Sequence, residues 1–221
     1  MKAPTPLRID IVSDVVCPWC IIGYKQLERA IGRMGDRVEV GIRWHPFQLA
    51  PYLGDEGQNI GDYGRERYGA TPEQSAANRT RITDAGALLG ITFNYSSESR
   101  IYNTRRAHKL LAWAGQNGGQ TALKLALFGA YFTDQRNISD PDVLLDIVAE
   151  TGLDRAAAAA ALDDPQFDAL IDEELRYWDA QNITGVPAFI INGKYMIPGA
   201  QDADTFVRVL DRVIEKETAI A

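Results

Sequence analysis

Ser13-Asp14-Val15-Val16-Cys17-Pro18-Trp19-Cys20 holds both cysteines of a 221-residue chain, two residues apart. Residues 7–12, directly before it, form a short apolar run rich in Ile and Val, as a central strand requires. After it, Ile22, Leu27, Ala30 and Ile31 recur at helical spacing and predict a helix over 21–34. A strand feeding a helix that opens on Cys-x-x-Cys puts the first sulfur where unpaired N–H groups and the helix dipole favour a thiolate. A thiol of ordinary pKa about 8.5 is expected to fall there toward about 3.5 to 7.5. Cys17 is therefore the expected nucleophile. Cys20, one turn deeper, is expected to resolve a mixed disulfide from inside the protein.

Other uses of the pair fit less well. A structural zinc needs four ligands, and His45 and His108 could complete a set, but they lie far apart in sequence, unlike the close pair of a finger. A disulfide across so short a loop constrains the unfolded chain little. No metal and no resident cofactor is expected beyond the redox pair itself. The composition, 46% hydrophobic and 24% charged, is that of a soluble globular protein. A net charge of −7 with no Lys/Arg cluster speaks against nucleic acid as the partner. No 18-residue apolar stretch suggests a membrane span, and residues 1–6 lack the apolar core of a secretory signal. Read as a native start, that implies a cytoplasmic protein, where a lone Cys pair is catalytic rather than structural.

After a turn at Gly32, Gly35 and Asp36, Val38, Val40, Ile42 and Trp44 alternate along a second strand, which completes a βαβ unit with parallel strands. From Pro46 the character changes. Pro46, Pro51, Gly54, Gly57 and Gly61 mark an irregular passage, and Thr71-Pro72 then opens a helix expected to stop at Gly90. Further helices are predicted over 104–114, 121–132, 140–150, 154–162 and 166–181, with the alanines at 156–161 read as a short, tightly packed helix. Strands return at 186–191 and 194–197 around Asn192-Gly193, a type I′ hairpin signal, before a final helix at 203–215. The expected class is α/β: a thioredoxin fold formed by 1–50 and 182–221, with a large all-α insertion domain at 51–181 after the second strand.

Beyond the Cys motif, Pro46-Phe47-Gln48-Leu49, Asn103-Thr104 with Ala107-His108, Thr184-Gly185-Val186-Pro187-Ala188-Phe189 and Gly199-Ala200-Gln201 stand out. With these the chain resembles the DsbA family of thiol:disulfide oxidoreductases, in particular its FrnE-like cytoplasmic branch, over nearly its whole length. The resemblance implies exchange with protein or small-molecule thiols and disulfides, by a monomer or homodimer. It implies a cis Val186–Pro187 bond against the Cys helix, with Val186 backbone and Pro187 as substrate platform. DsbA itself carries Pro-His between its cysteines, where this chain has Pro18-Trp19. Without that histidine Cys17 should be less acidic and its disulfide less oxidising, which suits isomerase or reductase duty. Glutathione-dependent isomerases and kappa-class transferases share a similar insert but begin the motif with serine. Cys17 speaks against their chemistry, and glutathione stays open as a co-substrate.

Trp19 is expected to lie exposed between the cysteines and to touch a client, with Trp44, Trp113 and Trp178 in the core. Asp14 could cap the helix or take a thiol proton, and Asp10 could be a buried acceptor. His108 and His45 read more readily as structural than as proton shuttles. Gln201 and Asp202, opening the last helix, could hold a γ-glutamyl group, while simple capping explains Asp202 equally well. The rivals to exchange are a glutathione-dependent isomerase or transferase for a small aromatic compound, and a non-catalytic metal or client-binding module.

Overall fold

A computed structural model of the chain describes residues 4–220. β1 (Thr5–Ser13) leads into α1 (Pro18–Met34), a short 3-10 turn (Gly35–Arg37) and β2 (Val38–Pro46). The chain leaves the sheet through β3 (Gln58–Asn59), α2 (Ile60–Tyr68), α3 (Pro72–Ala87) and β4 (Arg100–Ile101). It continues through α4 (Arg105–Gln116), α5 (Gln120–Phe132), α6 (Pro141–Glu150), α7 (Arg155–Asp163) and α8 (Pro165–Ala180). It then returns as β5 (Ala188–Ile191), β6 (Tyr195–Pro198) and α9 (Ala203–Ile220).

The main sheet has the order β2-β1-β5-β6. β1 pairs parallel with β2 from Thr5↔Val38 to Ser13↔Pro46, and antiparallel with β5 from Ile9↔Ile191 to Val12↔Ala188. Side chains alternate across a strand, and here the two faces separate cleanly. Ile9, Ile11, Phe189 and Ile191 join the large core beneath α1, whereas Val12, Ala188 and Ile190 pack with Trp178 and Ile183 on the other side. β2 obeys the same rule: Trp44 reaches Thr121 of α5 through its indole N–H (3.0 Å), while the next residue, His45, faces Glu174 of α8 (2.9 Å). The apolar core runs unbroken from the sheet through Trp44 and Phe128 into Leu110, Leu127 and Ile147 of the helices. This is a thioredoxin fold with its helical segment inserted after the second strand.

The differences from the sequence reading have local causes. Helix α2 falls inside the passage expected to be irregular, because Gly61 and Gly64 within its nine residues hide a weak apolar pattern. Its N-terminus is held by the Asn59 side chain, which accepts from Gly61 and Asp62 N–H, and it ends at Gly69 in the left-handed region (φ 64°). The segment expected to hold no strand contains the two-residue β3–β4 ribbon. It forms around Gly57 (φ 61°), where any Cβ would meet the Ile101 carbonyl. β5 begins at Ala188, after Pro187, which has no N–H to give the ladder. Asn192 (φ 51°) and Gly193 (φ 68°) form the left-handed turn expected of them. Helix α7 fully buries only Ala158 and Ala161, with Ala159 and Leu162 partly buried beside them, so its alanine run is tight on one face alone. α9 continues past 215 to Ile220.

His45 sits between two carboxylates, Nε2 3.0 Å from Asp10 Oδ1 and Nδ1 2.9 Å from Glu174 Oε2. Burial alone would lower its pKa, but these two partners outweigh it and raise it. Burial likewise works against the Asp10 carboxylate, yet His45 and then Arg8 hold its pKa below the ordinary value. A raised folded-state pKa means that the His45 contribution is full below its unfolded pKa and fades as pH rises through the folded one. Asp10 contributes above its unfolded pKa and loses that as pH falls through its lowered value. Glu174→Gln is therefore expected to cost about 2–4 °C of thermal midpoint in mildly acidic buffer, and clearly less in alkaline buffer. Thermal melts across pH check this; an equal loss at every pH would refute it.

Candidate active site

No side chain caps α1. Its N-cap is Cys17 itself, in extended backbone (φ −92°, ψ 111°), followed by Pro18 in the first turn, where a missing N–H costs little. The Cys17 N–H donates to Asp14 O (3.2 Å) and the Cys20 N–H to Cys17 O (3.1 Å). Both cysteines are free thiols. Cys17 retains 4% exposure and Cys20 none, so only the first sulfur can be approached from outside. The Val186–Pro187 bond is cis, and the Val186 carbonyl lies 3.7 Å from Cys17 Sγ. The Pro187 carbonyl is taken by the Gly199 N–H at 2.8 Å.

Asp14 does not act as the expected helix cap. Its carboxylate turns away from α1 and accepts from Leu49 N–H (2.7 Å), with His108 Nε2 at 3.3 Å. His108 Nε2 also lies 2.9 Å from the Phe47 carbonyl, which can only accept, so Nε2 carries the proton. Burial is the main influence on His108 and lowers its pKa, leaving a neutral ring at neutral pH. Asp14 and His108 thus tie the Cys loop to the Phe47–Leu49 turn.

The pair also departs from the expectation of an acidic Cys17. Its thiol is pushed well up, first by the hydrogen bond it shares with Cys20 and then by burial. Cys20 goes the other way. Burial opposes its ionisation, but the Cys17 hydrogen bond, the positive charge of Lys124 and the nearby Ser13 hydroxyl lower its pKa. The two thiols are coupled through their shared hydrogen bond, and the groups that favour ionisation, Lys124 and Ser13, act on the inner one. Ser13 Oγ is buried with no conventional hydrogen bond. It sits close enough to Cys20 to favour that thiolate.

The sequence reading missed Lys124. It is fully buried on α5, with Nζ 3.5 Å from the Ser13 carbonyl and 5.3 Å and 5.0 Å from the ring centroids of Trp44 and Phe128. Burial lowers its pKa to about 8, while the charges of Cys20 and Asp14 pull the other way. The signal was present: a lysine inside the apolar run Leu123-Lys124-Leu125-Ala126-Leu127-Phe128 is either snorkelling or deliberately placed.

Cys17, Pro18, Trp19 and Val186 form one wall of a cavity of about 420 Å³. Its other walls come mostly from the inserted segment and include Tyr63, Tyr68, Arg79, Tyr95 and Tyr131. A larger cavity of about 580 Å³ opens behind β2, lined by His45, His108, Lys124 and Glu174 among others, but neither cysteine borders it. The smaller cavity is the one with the chemistry. Trp19 is half-buried rather than exposed, its ring covered by the Arg81 guanidinium at 5.2 Å. Trp44, Trp113 and Trp178 are core residues, as expected. Asp10 and His45 pair with each other and with Glu174, away from the sulfurs. Asp202 caps α9 through Thr205 N–H (2.7 Å), and Gln201 donates to Pro198 O (2.8 Å). Among the described residues no cluster of three or more His, Cys, Asp or Glu is placed to hold a metal ion, and no helix is long and apolar enough to cross a membrane.

Comparison with known proteins agrees with this geometry. Residues 8–211 match the family model of the DSBA-like thioredoxin domain. The uncharacterized protein YwbO of Bacillus subtilis is 30% identical over 205 residues, covering 92% of this chain and 96% of that one. The crystal structure of a probable DsbA oxidoreductase from Streptomyces coelicolor superposes with a TM-score of 0.87 at 28% identity, over 93% of this chain and 89% of that one. The cytosolic disulfide reductase DsbM of Pseudomonas aeruginosa, with GSH, shares the fold at a TM-score of 0.65 and 18% identity, over 94% and 99% of the two chains. With its cysteine pair at the start of α1 and a cis proline facing it, the chain belongs to the DsbA-like thioredoxin-domain family of thiol:disulfide oxidoreductases.

Proposed function

We propose that the Cys17-Pro18-Trp19-Cys20 pair carries out thiol–disulfide exchange as a reductase or isomerase, in the manner of the FrnE-like branch and in the reducing setting of the cytoplasm. The reading is carried by one observation: Cys17 borders an open cavity within 3.7 Å of the Val186 carbonyl, while Cys20 lies sealed beneath it. Cys17, as thiolate, attacks a substrate disulfide and the leaving thiolate departs. The extended backbone of the substrate lies along Val186 and Pro187, a short form of strand addition. Cys20 then attacks the Cys17 sulfur and releases the second thiol. The hydrogen bond between the two sulfurs offers a direct path for the proton that Cys17 gives up before it attacks.

Reduction and isomerisation are favoured over net oxidation for an electrostatic reason. A strongly oxidising disulfide requires a strongly stabilised outer thiolate. Here Cys17 is pushed up and Trp19 offers it no charged partner. Glutathione is proposed as a co-substrate that could return the pair to its starting state. The cavity's tyrosines also support a second reading, turnover of a small aromatic compound with glutathione.

Insulin reduction and refolding of a scrambled substrate separate these readings. Cys17→Ser is expected to abolish both activities, and Cys20→Ser to trap a mixed disulfide visible by mass spectrometry. Activity that survives Cys20→Ser and requires glutathione would favour the aromatic reading instead. Lys124→Met removes the cation beside Cys20. The first thiol pKa of the pair is expected to rise by about one unit, and the potential to become about 30 mV more negative. Thiolate ultraviolet absorbance and equilibration with a glutathione buffer measure the two. The same variant is expected to melt higher at neutral pH, because the folded state then no longer carries a lysine whose pKa is held at about 8 by burial. An unchanged thiol pKa would separate Lys124 from the redox pair.

A further inference from the structure

The cavity in front of Cys17 carries a charge that the exchange reading leaves unused. Among its lining residues Arg79 is the one basic side chain, and no carboxylate borders the space. Arg79 is half-buried, and no hydrogen bond or ion pair joins it to another described residue. Arg67 and Arg212 have none either, but both are exposed, whereas Arg79 is half-buried at the cavity wall in a chain of 30 acidic and 23 basic residues. Arg33, Arg37, Arg65, Arg105, Arg106 and Arg136 each hold a carboxylate. Arg81, beside the cavity, is spent on Trp19 and Asn78. The Arg79 guanidinium keeps its donors free of protein partners beside the cavity and can offer them to an anionic ligand. Tyr95 links it to the chemistry: Cys17 and Arg79 act on that phenol with opposite signs, so both lie within electrostatic reach of one side chain.

We propose that Arg79 is a specificity-determining residue that binds the carboxylate of a low-molecular-weight disulfide while Cys17 attacks its sulfur. The inference rests on the exchange reading above and adds the substrate's charge and size. A planar guanidinium fork matches a carboxylate in two parallel bonds. A space of about 420 Å³ suits a small molecule. The tyrosines around it supply apolar walls for the rest of that molecule. In the reaction, Cys17 thiolate attacks one sulfur of R–S–S–R. The S–S bond breaks, one R–S⁻ leaves and takes a proton from water, and Cys17 carries the other R as a mixed disulfide. Cys20 thiolate then attacks the Cys17 sulfur and displaces the second R–S⁻. The substrate gains two electrons and the cysteine pair loses two.

Single-turnover oxidation of the pre-reduced protein needs no further reductant and can be followed by thiol release. The probes are 3,3′-dithiodipropionate (anionic), 2-hydroxyethyl disulfide (neutral) and cystamine (cationic), with insulin as a protein substrate. At low salt, wild type is expected to react about tenfold faster with the anion than with the cation. Arg79→Gln is expected to remove most of that ratio and Arg79→Lys to keep much of it. Comparing ratios cancels the intrinsic reactivity of each disulfide and any general loss of folded protein. A ratio the same in wild type and Arg79→Gln overturns the inference, as does reduction of insulin with none of the three small disulfides; in both cases exchange itself still stands. Failure with all four substrates would remove the exchange reading beneath it.

Discussion

Strand β1 is hydrogen-bonded on both edges, and the rest of the molecule depends on that. Its pairing with β2 ends at Ser13↔Pro46, and its pairing with β5 ends at Val12↔Ala188. Three loops therefore leave the sheet at the same end: the Cys motif, the Phe47–Leu49 turn and the Pro187 segment. A one-residue slip of either neighbour would reverse the faces of that strand and move its loop away from the sulfur. The register is secured by burial of both faces, Ile9, Ile11 and Phe189 on one side and Val12, Ala188 and Ile190 on the other.

Beneath this junction the protein keeps a set of polar groups that an ordinary core would exclude. Asp14, Ser13, Lys124, His108 and Cys20 are all buried. Asp14 and His108 are satisfied by each other and by the backbone of Phe47 and Leu49, so they fix the loop that carries the cysteines. Among the described residues Lys124 has a long contact to Ser13 O and two aromatic faces, and no carboxylate pairs with it. A cation held so poorly by its surroundings is available to an ionising thiol, which is the partner its position offers. The inserted helices are thus part of the redox site, since α5 supplies this lysine.

The same helices also form the far side of the cavity that Cys17 faces. Walls from α2 and α3, with Tyr95 and Tyr131, convert a flat sulfur-bearing edge into a bounded space with aromatic lining and a basic side chain. Family membership supplies the thiol–disulfide chemistry, and the insert supplies most of the surface that faces Cys17 across the cavity.

Much of this was legible in the linear chain because it depends on local physics. The strand-to-helix passage at the two cysteines, the Asn192-Gly193 turn, the helix opening at Thr71-Pro72 and the strand-helix order each rest on residues a few positions apart. Helix α2 was hidden because its glycines weaken the apolar repeat, and the Asn59 cap, the Gly69 C-cap and its packing hold it. What the tertiary structure alone decided is the direction in which side chains from distant segments point. Asp14 turned to Leu49 and His108 rather than to its own helix, His45 to α8, and Lys124 and Arg79 to the two sides of the sulfur pair. Local propensity fixes backbone, but the charge around a thiol is a sum over groups brought together by folding, so the acidity of Cys17 could not be read from the helix it begins.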